Sequence, residues 1–205
     1  MKLVLLILTS SAFIFGAEIL KRKFSLPTAF TRRAIHIGTA IVAGIAPLFV
    51  TKEEIVFVSI IFAGVLFIGR FYHLFSAIHS AERYTFGEVY LPLGVAVTAL
   101  LFLPHNLLAF QFGIFIMGIS DALAGFVGER FGSHHFSVFK NRKSIEGSTT
   151  FFFASLVLTL LFVPTFGYQL LVTPIVLTLA EAGLVYGLDN LILPIVAAAL
   201  IQYYI

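Results

Sequence analysis

The sequence predicts an all-α fold, a polytopic transmembrane helix bundle of about eight spans. The first observation is composition: the 205 residues are 60% hydrophobic and only 11% charged, with a mean hydropathy of +1.04. Soluble domains carry about 25% charged residues, so this chain has too few polar side chains to cover a surface in water. Helices satisfy their own backbone hydrogen bonds in lipid. We therefore expect a single integral-membrane domain over residues 1–205.

The second observation is the length and spacing of the apolar stretches. A membrane-spanning helix needs about 20 apolar residues, and roughly 17 is the lower limit. The first stretch is preceded by Lys2 alone and is not followed by a convincing small-residue cleavage site, so we interpret it as a span rather than a signal peptide. The predicted spans are approximately residues 3–20, 34–50, 55–71, 88–103, 106–128, 148–164, 168–186 and 189–205.

The third observation is the distribution of basic residues, which predicts the orientation. All Lys and Arg residues except Lys2 and Lys52 fall in the links after the first, third and fifth spans or, for Arg70, at the edge of such a link. Basic links stay in the cytoplasm. We therefore expect both termini outside the cytoplasmic membrane and the functional site at its cytoplasmic face. Topology explains the net charge of +3 without nucleic acid as a partner, and the lack of cysteine excludes disulfides and thiol chemistry.

The segment from Gly118 to Ser148 carries the strongest chemical signal. Asp121 lies deep in an apolar span, where a carboxylate is costly and marks a functional site by default. Spacings of three and four residues place it on one helix face with four glycines, which lets another backbone or a ligand approach closely. A seam for helix packing is the alternative, and both interpretations can hold together. The glycines are Gly118, Gly125, Gly128 and Gly132.

The basic loop that follows suits phosphate groups. Arg142, Lys143 and Ser144 offer cations and a hydroxyl just before a helix start, where backbone N–H groups also favour anions. Glu146 could help to hold Mg²⁺, which favours carboxylates together with substrate phosphates. The alternative is a positive-inside anchor, with Ser144 or Ser148 capping the helix. The spacing of a P-loop is missing.

Together these residues resemble the signature of the dolichol kinase and phytol kinase family of CTP-dependent polyprenol kinases, which reads DxxAxxxGxxxG, a spacer, then KKTxEG. The spacer is one residue longer here, and Arg and Ser replace the first Lys and the Thr. The first part is matched by Asp121, Ala124, Gly128 and Gly132, and the second by Arg142, Lys143, Ser144, Glu146 and Gly147.

Three further patches resemble the same family, so the likeness covers residues 31–196. Each patch has a simpler alternative: His36 as an interfacial residue, Glu88 as a partner of Arg83, and Asp189 as a helix N-cap. Glu181, within an apolar span, is harder to explain as structural. The patches are Arg32-Arg33-Ala34-Ile35-His36, Gly87-Glu88-Val89-Tyr90-Leu91-Pro92, and Glu181 with Asp189-Asn190 and Pro194.

The resemblance implies a kinase-like domain that transfers the γ-phosphoryl group of CTP to a membrane-embedded isoprenoid alcohol, such as a polyprenol, dolichol or phytol. It implies metal ligation for Mg²⁺, phosphate and nucleotide binding, and a base for the alcohol, which is either His36 or Asp121. The metal candidates are Asp121 and Glu146, then Glu88 and Glu181; those for phosphate and nucleotide are Arg33, Lys143, Ser144, Gly128, Gly132, Asp189 and Asn190.

Two other functions are compatible with the same residues. A CTP-dependent cytidylyltransferase would make a CDP-lipid and release pyrophosphate, whereas a kinase releases CDP. A small ion-coupled transporter would bind its ions near the membrane midplane. Because the polar residues gather at one interface beside a basic loop, the pattern favours an enzyme that acts on a cytosolic nucleotide.

The sequence also suggests a 4+4 parallel internal repeat. Phe24-Ser25 with Arg32 to His36 is echoed by Phe136-Ser137 with Arg142 to Glu146, and Glu88 with Pro92 by Asn190 with Pro194. Each proline leaves the carbonyl four residues earlier without its helical donor, so another helix, water or a ligand has to cover that group. A repeat predicts a site between the halves, with Arg33 near Lys143.

Overall fold

The computed structural model of this chain describes residues 1–72, 74–78, 85–138, 141–163 and 167–204, and it is predominantly helical. Helices α1–α4 are Lys2–Phe24, Thr28–Ile45, Lys52–Phe71 and Gly87–Phe102; α5 and α6 are Leu107–Phe115 and Asp121–Phe131; α7–α9 are Ile145–Phe162, Gln169–Gly183 and Asp189–Gln202. A π-helical turn, Ile116–Ser120, joins α5 and α6 into one rod, and a 3-10 turn, Ala46–Leu48, follows α2. Strands β1 (His135–Val138) and β2 (Asn141–Ser144) form an antiparallel hairpin before α7.

The helices agree with the apolar pattern of the sequence. Each predicted span contains one helical rod, if α5 and α6 are taken together. Among the described residues four rods are long and apolar enough to cross a membrane, namely α1, α3, the α5–α6 rod and α7, while α4, α8 and α9 are apolar but shorter. The prediction of an all-α membrane protein is confirmed. Eight crossings stay a prediction.

Side-chain caps set several helix starts. Thr51 and Glu54 form a reciprocal capping box before α3, with distances of 2.8 Å from Thr51 N to Glu54 Oε2 and 3.3 Å from Glu54 N to Thr51 Oγ1. Asn106 caps α5, because its Oδ1 accepts a hydrogen bond from the Ala109 backbone at 2.9 Å. These polar residues lie in short links between apolar helices, so capping accounts for them without a catalytic role.

The core is built around the α5–α6 rod and α9. Phe110 and Phe112 of α5 are fully buried. Two glycines allow α9 to approach its neighbours: a Cβ at Gly94 of α4 would lie 2.1 Å from the Asn190 carbonyl oxygen, and one at Gly113 of α5 would lie 2.3 Å from the Pro194 carbonyl oxygen. The Asn190 carbonyl is the one that Pro194 deprives of its helical donor. It therefore lies against another helix, as the sequence required.

The packing of the helices does not confirm the internal repeat. Helices α4 and α9 resemble each other, because each has an acidic residue in its first turn and an internal proline. They also pack against each other. The counterparts α2 and α7 differ in their neighbours. Helix α2 packs on α1, α5 and the π-helical turn, whereas α7 packs mainly on α6 and α8. The repeat stays a prediction.

Candidate active site

A polar cleft of about 380 Å³ opens at the end of the bundle where α2, α4, α7 and α9 begin and α6 and α8 end. All of the predicted site residues line this cleft except Gly132 and Glu146. The cleft therefore brings together residues that are 157 positions apart, from Arg33 on α2 to Asn190 on α9. Arg33 and Lys143 line the same cleft.

Asp121 is the first residue of α6 and follows the π-helical turn directly. Such turns insert an extra residue into a helix and are frequent at functional sites, because they change the direction of the side chains that follow. At the same turn, α2 approaches closely, since a Cβ at Gly118 would lie 1.9 Å from the Ala40 Cβ. The Asp121 carboxylate faces the cleft and interacts electrostatically with Asp189, Glu181 and Lys143.

Lys143 on β2 is held by Glu181 at the end of α8. Its Nζ donates to the Glu181 backbone carbonyl at 2.6 Å and also pairs with the Glu181 carboxylate. Both side chains are nearly buried, at 12% and 7% exposure. Among the described residues, the second carboxylate oxygen of Glu181 has no hydrogen-bond partner. Glu181 thus fixes the Lys143 ammonium group at the wall of the cleft.

Arg33 on α2 is held by α6 in a similar way. Its Nη2 contacts Glu129 Oε1 at 2.6 Å and donates to the Gly125 carbonyl at 2.8 Å. Gly125 makes this possible, because a Cβ there would lie only 3.1 Å from Arg33 Nε. Glu129 was missed in the sequence analysis. Its position could have indicated this role, because Glu129 follows Gly125 by one helical turn and so lies on the same face of α6.

Glu88 at the start of α4 pairs with Arg70 at the end of α3. Arg70 also donates to the Thr85 carbonyl at 2.7 Å, and its guanidinium group lies 4.7 Å from the centre of the Phe86 ring. The predicted partner, Arg83, lies outside the described residues. The Glu88–Arg70 pair ties α3 to α4 at the cleft rim, and Glu88 also interacts electrostatically with His36.

The glycine face of α6 packs on the start of α7. Ser144 caps α7 by accepting a hydrogen bond from the Gly147 backbone at 3.1 Å, as the alternative interpretation of this loop predicted. A Cβ at Gly128 would lie 2.8 Å from Ser144 Oγ, and one at Gly132 would lie 2.8 Å from Ser144 Cβ. The glycines beyond Gly125 therefore serve helix packing, and Gly128 also contributes to the cleft wall.

Glu146 faces away from the cleft, towards the start of the β1–β2 hairpin. Its Oε1 accepts from Ser133 Oγ at 2.6 Å and from the His134 backbone at 3.1 Å, and it lies 2.8 Å from His134 Nδ1. These contacts close the base of the hairpin. The sequence predicted that Glu146 and Asp121 bind one metal ion together. The structure does not bring these two carboxylates together.

Asp189 and Asn190 begin α9 and line the cleft. Leu188, not Asp189, occupies the N-cap position, so the simple capping interpretation of Asp189 is wrong. The Asn190 amide donates to the Gly87 carbonyl at 2.9 Å, which fastens α9 to α4. This junction also requires a glycine at position 187, where φ is 86° and a Cβ would lie 2.6 Å from the Gly87 backbone.

The cleft brings together carboxylates that could take part in holding a metal ion. No group of three or more Asp, Glu or His side chains with metal-ligand spacing exists among the residues that the structure describes. Asp121, Glu181 and Asp189 nevertheless share the cleft and interact electrostatically. Mg²⁺ is commonly bound by one or two carboxylates, with water and substrate phosphates completing the octahedron.

The fold and the cleft define a membrane protein with a phosphate-compatible polar site at one end of an apolar bundle. Over 196 residues the chain is 32% identical to the phytol kinase of Synechocystis sp., a match that covers 91% of this chain and 84% of that protein. The chain therefore belongs to the phytol kinase and polyprenol kinase family. No family model matches the chain, and neither does any solved structure.

Proposed function

We propose that this protein transfers the γ-phosphoryl group of CTP to the hydroxyl of a membrane-embedded isoprenoid alcohol, such as phytol, a polyprenol or dolichol. The alcohol oxygen attacks the γ-phosphorus, the bond from that phosphorus to the β–γ bridging oxygen breaks, the hydroxyl proton passes to a base, and CDP leaves. The observation that carries the proposal is the cleft that gathers Asp121, Lys143 and Arg33 beside apolar helices. The name of the cyanobacterial relative supports an isoprenoid acceptor.

Lys143 and Arg33 bind the phosphates in this proposal. Phosphoryl transfer depends mainly on positioning and on stabilising charge, so the cations have to be fixed before the nucleotide arrives. Glu181 fixes Lys143 and Glu129 fixes Arg33. The Lys143 ammonium group has three N–H donors, and two of them bond to Glu181. We assign the third donor to a phosphate oxygen.

Asp121 and Asp189 would hold Mg²⁺ together with phosphate oxygens of the nucleotide. They face the same cleft, whereas Glu88 is paired with Arg70 and Glu146 closes the hairpin. The ion supplies charge neutralisation on the phosphates when it is bound. The sequence predicted that Asp189 and Asn190 contact the nucleotide. In this proposal Asp189 binds the metal ion, and Asn190 joins α4 to α9.

His36 accepts the proton of the alcohol. It lines the polar cleft and also an apolar groove between α1, α2, α3 and α4, so it lies where a lipid hydroxyl and a nucleotide can meet. Asp121, the other candidate base, is assigned to the metal. A histidine that can be neutral near pH 7 is suited to this role.

The proposal includes the topology. The single kinase-like domain over residues 1–205 crosses the cytoplasmic membrane eight times, with both termini outside and the cleft at the cytoplasmic face, where CTP is available. Because the chain has no cysteine, variants with one introduced cysteine can show on which side of the membrane each link lies. Ser137→Cys in the hairpin should react with an impermeant maleimide only in opened cells, and His105→Cys should react in intact cells. The reverse pattern would contradict the orientation.

The test of the activity is nucleotide turnover by the pure protein in lipid nanodiscs. Phytol, geranylgeraniol, a long polyprenol and diacylglycerol are supplied in turn with CTP or ATP and Mg²⁺. We expect CDP and a lipid monophosphate, both dependent on an isoprenoid alcohol. Release of pyrophosphate would indicate a cytidylyltransferase, and no nucleotide consumption with any acceptor would overturn the kinase proposal.

A further inference from the structure

An apolar groove runs from the polar cleft into the bundle between α1, α2, α3 and α4. Helix α2 lines it with Ile35, Thr39, Ala43 and then Ala46 of the 3-10 turn, which recur at intervals of three or four residues and so form one face. Apart from Ala46, these residues belong to a single helix. The groove is therefore a continuous feature along the length of α2, not an isolated void.

The other helices line the same groove over a similar distance. Helix α1 contributes Leu6, Ser10 and Ile14, and α3 contributes residues from Ile55 to Leu66. At a rise of about 1.5 Å per residue, the eleven steps from Ile55 to Leu66 and the ten steps from His36 to Ala46 each correspond to roughly 15 Å. The groove is thus about half as long as the hydrocarbon core of a bilayer is thick.

The groove and the cleft meet at three residues. Arg32, His36 and Glu88 line both of them, so the polar end of the groove opens into the phosphate-compatible site. A ligand that occupied both would need a polar head at His36 and an apolar chain pointing away from it. This is the shape of an isoprenoid alcohol.

We propose that the isoprenoid chain of the acceptor lies along the α1–α4 groove, which contacts the first three or four isoprene units from the hydroxyl. The proposal rests on the kinase function proposed above. An extended chain advances about 1.2 Å per bond, as an extended polypeptide does. Each isoprene unit adds four bonds to the main chain, so roughly 15 Å accommodates about three units. Units beyond the fourth leave the groove and add nothing to recognition.

The first experiment compares acceptors of two, three, four and more than ten isoprene units, namely geraniol, farnesol, geranylgeraniol and a long polyprenol. They are supplied at equal mole fractions in nanodiscs, and kcat/KM is measured for each. We expect kcat/KM to rise up to geranylgeraniol and then to level off. A continued rise to the long polyprenol, or no dependence on chain length, would overturn the assignment of the groove to the isoprenoid chain.

The second experiment shortens the groove with Ala43→Phe. Ala43 lies seven residues from His36, or about 10 Å along α2, which is the reach of about two isoprene units. We expect kcat/KM to fall at least tenfold for geranylgeraniol and less than threefold for geraniol. The matched control is Ile41→Phe, two residues away on the same helix at a side chain that is 40% exposed, where both acceptors should behave as in the wild type.

The outcomes separate the two proposals. If the wild type phosphorylates no alcohol, the proposed function fails. If it is active but Ala43→Phe lowers turnover of geraniol and geranylgeraniol equally, the kinase stands and the groove is wrong.

A measurement on the wild type covers the case in which Ala43→Phe does not fold. A geranylgeraniol analogue with a diazirine at its tail should label the groove faces of α1 and α3, and excess geranylgeraniol should suppress the labelling. Suppression by phospholipid alone would show a groove filled by acyl chains and would contradict the proposal.

Discussion

Two ion pairs lie in different walls of the cleft, and they differ in their access to water. The Lys143–Glu181 pair has both side chains nearly buried, whereas in the Arg33–Glu129 pair the Glu129 side chain is 37% exposed. Removing one partner of a buried pair leaves an unpaired charge and costs about 3–5 kcal/mol. An exposed pair contributes about 0–1 kcal/mol. The first pair is therefore a structural element in addition to the phosphate contact that we propose for Lys143, and the second mainly orients a cation.

Asp121 lines the same cleft as the two pairs and should give the largest loss of activity when changed. Asp121→Asn keeps the size of the side chain but removes the charge proposed to bind Mg²⁺. We expect kcat to fall at least a thousandfold, with the thermal unfolding temperature in detergent close to that of the wild type. The comparison variant is Glu146→Gln, which changes a carboxylate that faces the hairpin and should cost much less activity. Equal losses in the two variants would contradict the separation of Glu146 from the metal.

Lys143→Ala should lower both activity and stability. The variant loses a charge-assisted contact worth about 1.5–3 kcal/mol, or roughly 10- to 100-fold in kcat/KM for CTP. It also leaves the buried Glu181 carboxylate unpaired, so the free energy of unfolding should fall by about 3–5 kcal/mol. Arg130→Ala removes an exposed cation outside the cleft and serves as the control for charge alone. A fully stable Lys143→Ala would show that the pair is not a structural element.

Adding Glu181→Gln to Lys143→Ala sharpens this test. The neutral side chain no longer requires a cation, so part of the lost stability should return, whereas activity with CTP should not. Parallel recovery of stability and activity would assign the kinetic loss to misfolding and not to the phosphates. This separation distinguishes the ion pair that Lys143 forms with Glu181 from the phosphate contact that we propose for it.

Arg33→Ala should affect activity without a comparable loss of stability. The partner that remains, Glu129, reaches water, so its charge is solvated when the arginine is removed. We expect kcat/KM for CTP to fall roughly 10- to 100-fold, as for one charge-assisted phosphate contact, and the unfolding temperature to change little. The opposite result, an unstable but fully active variant, would make Arg33 a helix tether and not a phosphate ligand.

The sequence was most informative where a property is local. Apolar runs placed most helical rods within a few residues, for example α4 at Gly87–Phe102 against a predicted 88–103, whereas α2 at Thr28–Ile45 begins six residues before the predicted 34–50. The glycine and aspartate spacing placed Asp121 on a face that meets both a cleft and a neighbouring helix. These features depend on helical periodicity and on the cost of charge in lipid, which act on a single element.

The sequence was least informative where the direction of a side chain depends on a distant partner. Glu146 was expected at the metal, but the hairpin that the sequence analysis treated as a loop turns its carboxylate towards Ser133. The pairing of Glu88 with Arg70 and of Arg33 with Glu129 could not be read, because each joins two helices whose relative rotation is set by the packing of the whole bundle.

We expect the smallest effect from Glu129→Gln. This variant tests whether the exposed Arg33–Glu129 pair only orients the arginine. The amide can still accept a hydrogen bond from Arg33, and the side chain is partly exposed, so the free energy of unfolding should change by no more than about 1 kcal/mol. The arginine keeps its bond to the Gly125 carbonyl, so it stays on the cleft wall with less precise orientation. We expect KM for CTP to rise about two- to fivefold, an effect of up to 1 kcal/mol, with kcat nearly unchanged. If Glu129→Gln is as damaging as Arg33→Ala, the carboxylate itself takes part in the reaction, and the assignment of Glu129 as a positioning residue is wrong.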